Sequence, residues 1–251
     1  MDASAVEERE GVVYVVETDE PFTGTVRLPF PDTMEAAPDV VAREAHYRRG
    51  LLDGTTRGFY PSGAVAYELE FRKGLREGER VDFWENGTVR RREEFRADTA
   101  RGILREWDPE GHLIKEQELA DGKPNGVTRT WYPDGTLESE ATYLNGALHG
   151  TLRRWHPNGQ LRMEREYRNG FPHGPTREWA EDGTLLVEGS YDKGKVHGPY
   201  RRWYPNGQPA VEAEYYQGRS LAIRMWDEEG NPVPVEPDLH PADTLRLMRE
   251  R

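Results

Sequence analysis

The chain contains no cysteine, which excludes disulfides and thiolate metal sites and leaves the redox compartment unmarked. Apolar residues are also scarce: hydrophobic types make up 35% of 251 residues, and the mean hydropathy is −0.91. No stretch approaches the roughly 20 apolar residues of a membrane-crossing helix. The opening MDASAVEERE is acidic and has no apolar run, so no signal peptide is expected and a cytoplasmic location is the default. Lysine and arginine (34) are outnumbered by aspartate and glutamate (46), giving a net charge of −12. Nucleic acids and anionic membranes usually select a basic footprint, so neither is expected as the main partner. The sequence has no G-x-S-x-G elbow, no phosphate-cradling glycine loop and no H-E-x-x-H. No catalytic residue, cofactor or metal site is therefore expected.

What the sequence does have is glycine and aromatic residues, with 26 glycines, 12 tyrosines and 7 tryptophans. Disordered chains of low hydrophobicity are poor in aromatics, so an ordered protein with a thin core is the better reading. The glycines fall into columns. One column, closing FYPSG, FWENG, WDPEG, WYPDG, WHPNG, WAEDG, WYPNG and WDEEG, runs from Gly63 to Gly207 in steps of 24 residues, then to Gly230. A second runs Gly50, Gly74, Gly122, Gly146, Gly170, Gly194, Gly218, with Asp98 as its exception, and a third follows it four residues later, from Gly54 to Gly198. Together the columns hold 22 of the 26 glycines, so the chain is a repeat array.

One repeat, residues 150–173, reads as a short strand to Trp155, the turn His156-Pro157-Asn158-Gly159, and a longer strand to Arg168. Proline sets φ for a type I turn, asparagine suits the next position, and glycine takes the left-handed residue after it. A three-residue hairpin with a glycine bulge is expected, placing Trp155 opposite Leu161. Counting by twos puts Leu161, Met163, Arg165 and Tyr167 on the tryptophan face, with Glu164 and Glu166 on a solvated face. An arginine six residues before the turn glycine (Arg57, Arg105, Arg129, Arg153, Arg177, Arg201) is missing at Val81, where the glutamate five residues after that glycine is missing too, at Arg92. The two columns are expected to neighbour each other, although the turn register alone does not oppose them.

The fold expected is therefore all-β: a single-layer, curved antiparallel sheet of tandem 24-residue hairpins. Residues 1–40 read as a degenerate first hairpin with an insertion near PDTMEAAPDVV, 41–231 as the array, and 232–251 as a tail with a short capping helix. His149, His173 and His197 stand 24 apart. Equivalent atoms of successive hairpins lie about 9.6 Å apart, too far to share a metal, so turn histidines bonded to backbone are expected.

Repeats of the form G-x-x-R-x-W-Y-P-N-G-Q-L-x-x-E-x-x-Y-x-x-G-K-x-H-G resemble the MORN repeat in its bacterial variant form. The matches are strongest over 126–150, 150–174 and 194–218, with departures at Asp98, Thr99, Leu119, Glu181-Asp182 and Pro209. The whole chain is similar to the bacterial YwqK-family antitoxins. The resemblance implies an elongated, curved hairpin sheet that binds other proteins, neutralisation of a toxin in this subgroup, and membrane lipid as a partner of MORN arrays more generally. Two aromatic rows are candidate footprints, since aromatics and arginine anchor interfaces. One is Trp107, Trp131, Trp155, Trp179 and Trp203; the other is Tyr60, Trp84, Tyr132, His156 and Tyr204; Arg153 and Arg201 join them. The expected function is a non-enzymatic scaffold for another protein, such as a toxin or the product of a neighbouring gene. A lipid-surface module and a carbohydrate-binding β-solenoid are the alternatives.

Overall fold

The computed structural model describes residues 1, 3–31, 34–37 and 40–235. It divides into two compact units, Met1–Lys123 and Pro124–Arg251. Each is built of antiparallel hairpins that follow one another in chain order, and among the described residues there is no α-helix. The expected capping helix falls within 236–251, outside the described residues.

The first unit opens with a 3-10 turn, Ala3–Ala5, and a hairpin, Val6–Arg9 with Val12–Val15, which the repeat pattern does not announce. The array then begins with Gly24–Pro29 paired to Val41–Arg48. Pro29 opposes Val41 across a connection six residues longer than the one between Phe59 and Val65. The insertion thus enlarges a hairpin turn and leaves the pairing intact. Gly54–Phe59, Val65–Arg72, Leu75–Phe83, Val89–Arg96, Thr99–Trp107 and Leu113–Ala120 continue the unit.

The second unit repeats the plan. It runs through Lys123–Trp131, Leu137–Leu144, Ala147–Trp155, Leu161–Arg168, Phe171–Trp179 and Leu185–Asp192. Gly198–Trp203, Pro209–Tyr216, Arg219–Trp226 and the short Pro232–Val233, paired to Met225 and Trp226, close the run.

Two turn types alternate, each set by its residues. At the first, His156 N–H donates to Gln160 O (2.8 Å) and Gly159 N–H donates to His156 O (2.9 Å), with Gly159 at φ 82°. This is the three-residue glycine-bulge hairpin expected. At the second, Asn169 (φ 50°) and Gly170 (φ 83°) are both left-handed between the paired Arg168 and Phe171. Two consecutive positive φ values define the two-residue type I′ turn. Where Asp98 replaces glycine there, at φ 65°, Arg76 compensates. Its main-chain N–H (2.9 Å) and Nε (3.0 Å) donate to the Asp98 carboxylate. The same bonds hold the Asp98 carboxyl below its usual range.

A second bulge overturns the expected faces. Trp155 opposes Leu161, but the register then shifts, so that Arg154 opposes Met163 and Arg153 opposes Glu164. The residue left over in the second strand is Arg162. Turn chemistry announces only the first bulge, so counting by twos from Leu161 runs onto the wrong face. By strand alternation the tryptophan row shares the Arg–Glu face, whereas Tyr167 lies on the other face with Leu152.

That other face carries the core. Its central row pairs Val26 with Ala45, Thr56 with Leu69, Thr128 with Ala141, Leu152 with Arg165, and Tyr200 with Ala213. At least one member of each pair is buried. The third glycine column now has a reason. Gly78, Gly150, Gly174 and Gly198, which stand opposite Phe95, Tyr167, Tyr191 and Tyr215, have φ of 87°, 97°, 92° and 82°, the left-handed side of the map that favours glycine.

Candidate functional site

The second candidate row is engaged between repeats. Tyr60 OH donates to Phe83 O (2.7 Å), Tyr132 OH to Trp155 O (2.9 Å) and Tyr204 OH to Trp226 O (2.9 Å). Trp84 Nε1 donates to Trp107 O (3.0 Å), and His156 Nε2 lies 2.9 Å from Trp179 O. Each of these side chains therefore ties its repeat to the main chain of the next. Asn86, Asn158 and Asn206 do the same through Nδ2, to the carbonyls of Pro109, Glu181 and Glu228.

At the opposite end of the strands, Gly146, Gly170, Gly194 and Gly218 N–H each donate to a carbonyl of the preceding repeat, at 2.7–2.8 Å. Phenylalanine at 132 should cost about 1 kcal/mol, the usual net worth of one such hydrogen bond. Urea denaturation of Tyr132→Phe measures it.

The tryptophans Trp107, Trp131, Trp155, Trp179 and Trp203 are all half-buried. They lie beside the first turn, opposite Leu113, Leu137, Leu161, Leu185 and Pro209. Their face also carries the charged ladder. Arg27–Glu44, Arg57–Glu68, Arg105–Glu116, Arg129–Glu140, Arg153–Glu164 and Arg177–Glu188 are ion-paired through Nε at 2.6–3.0 Å. The joint absence at Val81 and Arg92 has a direct cause, since these residues oppose each other. Arg201 opposes Glu212, and its Nη1 lies 4.0 Å from Glu188. Exposed pairs of this kind contribute little stability, about 0–1 kcal/mol each, but they cancel the arginine charge locally.

What the repeat pattern does not reveal is the exposed apolar edge at the second turns. In the second unit Leu144, Phe171 and Tyr216 flank these turns and stand open to solvent, Phe171 and Tyr216 each at 61%. Leu144 and Tyr216 share a column that also holds Arg72, Arg96, Arg168 and Asp192, and Phe171 begins the strand after another such position, so no apolar period marks them. The buried row was hidden for a related reason. Its positions hold Thr, Leu, Ala, Arg, Glu and Tyr in different repeats.

The histidine column is divided. His197 Nδ1 accepts from the Gln217 main-chain N–H (3.4 Å), the backbone role expected, while His173 Nδ1 lies 3.4 Å from Asp192 Oδ1. Among the described residues no group of three or more His, Asp or Glu is arranged to hold a metal. Burial pushes the Tyr200 phenol up to about 12, so it stays neutral in the core.

The turn aspartates are shifted the other way. Asp134 and Asp182 carboxyls lie below their usual range because the Thr136 and Thr184 main-chain N–H groups donate to them. Depressed carboxyls contribute stability that is present above the unfolded value, about pH 3.9, and lost as pH falls through the folded one. Chemical denaturation should give flat carboxylate-linked stability down to about pH 4 and a decline below it.

The geometry of alternating turns and opposed glycine and aromatic columns repeats with the period of a known sequence family. Residues 52–73, 124–145, 148–169, 172–193 and 196–216 match the MORN repeat variant. The chain thus carries five segments similar to the MORN repeat. They cover somewhat under half of it, and no curated protein matches the chain. Between the first and second MORN segments lies 74–123, where Val81, Arg92, Asp98 and Leu119 depart from the columns. The core there turns ionic: Arg80 binds Asp82 (2.9 Å) and Arg91 binds Glu93 (2.9 Å), with Asp82 3% and Glu93 8% exposed. No helix among the described residues is long and apolar enough to cross a membrane.

Proposed function

We propose that this chain is a non-enzymatic scaffold that binds another protein, and that it neutralises a toxin-like partner encoded beside it. The observation that carries this reading is the exposed apolar edge of the second unit, Leu144, Phe171 and Tyr216. The hydroxyl and imidazole row is engaged between repeats, and the arginine ladder is paired with glutamate. The second-turn edge is then the surface with contact capacity left over. Isolated exposed apolar residues need no explanation, but several at one edge suit the apolar centre of an interface. Paired guanidinium groups also weigh against anionic lipid, because each charge is already answered by a carboxylate.

The test is co-expression with the product of the neighbouring gene, comparing the wild type with Phe171→Asp/Tyr216→Asp. Copurification with the wild type, lost in the variant while its melting temperature is kept, supports the reading. Copurification of neither, or of both equally, refutes it. Relief of that product's growth arrest by the wild type alone would support the neutralising role.

A further inference from the structure

We propose that the first unit holds a binding site for a small monocarboxylate with an apolar body, in a half-open cavity between the N-terminal hairpin and the first strands of the array. The hairpin is anchored there by Val13 N–H donating to Gly50 O (2.9 Å) and by Phe22 N–H donating to Val13 O (2.8 Å). Val13, Phe22 and Val26 form a buried cluster beneath it, with Val6, Leu28 and Tyr47 packed against them. Beside this cluster lies a cavity of about 430 Å³, within the range of about 300–1,000 Å³ typical of small-molecule sites.

Arg43 lines this cavity. It alternates onto the same face as the buried Ala45 and stands between Leu28 and Gly58 in the register. Its Nε is closed to solvent and has no hydrogen-bond partner. A guanidinium N–H shut away from water and unmet by an acceptor is costly, and its best complement is a carboxylate, which can accept two parallel bonds. In the polar cavity near 74–123 the Arg91 Nε is likewise buried without a partner. There, however, Arg91 Nη2 and the guanidinium groups of Arg76 and Arg80 already hold Glu93, Asp98 and Asp82, whereas Arg43 is in no ion pair among the described residues.

The walls set the rest of the ligand. Val6, Val13, Val26 and Leu28 favour a hydrocarbon body over a sugar or nucleotide. Glu7 and Glu8, both exposed, lie at the border of the cavity. Glu7 is ion-paired with Arg9, and the charge of Glu8 opposes a second negative group, so a dicarboxylate or phosphate fits less well than a single carboxylate.

The experiment is calorimetric titration of the full chain with octanoate, 1-octanol and octylammonium, which share a tail and differ in head group. Octanoate should bind the wild type at least tenfold tighter than octanol, and octylammonium weakest of all. Arg43→Met should weaken octanoate at least tenfold, to the level of octanol, and leave octanol unchanged. Equal binding of octanoate and octanol, no octanoate binding, or an unaffected Arg43→Met would each overturn the proposal. Should Arg43→Met fail to fold by circular dichroism, the head-group series on the wild type decides alone.

Discussion

Tyr215→Ala should lower the unfolding free energy by about 3–5 kcal/mol, the usual cost of deleting a buried aromatic ring. Tyr215 is only 1% exposed, and its ring meets Tyr200 edge-on at 5.9 Å within the cluster of Val187 and Val196. The strand residue opposite is Gly198, so no neighbouring Cβ can move in to refill the space. A whole domain is stable by about 5–15 kcal/mol, and this one ring should account for a large part of it. Tyr167 stands in the same column, yet is only half-buried. Its replacement by alanine should therefore cost distinctly less, and guanidinium denaturation of the two variants reads the contrast. Equal losses would mean that the column, and not the local packing, sets the value.

Gly174→Val should cost about 2–3 kcal/mol, for two separable reasons. Gly174 has φ 92°, where a β-branched residue is strained whatever the space around it. A Cβ there would also lie 2.6 Å from Glu166 Oε2. The carboxylate is the far end of a flexible side chain and can move, so strain should dominate. The double variant Glu166→Ala/Gly174→Val should recover only a minor part of the loss. Full recovery would place the cost in the clash and leave the third glycine column without its conformational reason.

How far the fold was legible follows from what each residue type can reveal. The glycine columns and the Pro-Asn-Gly turn disclosed the hairpin, its period and the glycine bulge, because these residues have few conformational alternatives. The second bulge, with Arg162 left over, lies among residues with no turn preference, and only the matched absence of Arg at 81 and Glu at 92 hinted at it. Counting by twos therefore places the tryptophan and tyrosine rows on one face, whereas the bulge sets them on opposite faces.

The same limit applies to the site. Aromatic residues in register mark a repeat that must bond to its neighbour as readily as one that must bind a partner, and Tyr60, Tyr132 and Tyr204 proved to reach the next repeat's backbone. Phe171 and Arg43 carry no periodic mark. Their roles emerge only when exposure is known for one and the cavity for the other.

The central claim is that Arg153 faces Glu164 across a doubly bulged hairpin, which sets the charged ladder on one face and the core on the other. The absence of native cysteine allows a direct test. Directly opposed antiparallel residues have Cα atoms about 4.5–5.5 Å apart, within disulfide reach. Arg153→Cys/Glu164→Cys should oxidise to an intramolecular disulfide in the folded chain, and Arg153→Cys/Met163→Cys should remain as free thiols. Cross-linking of the 153/163 pair in preference to the 153/164 pair would contradict the register, and with it the assignment of the two faces.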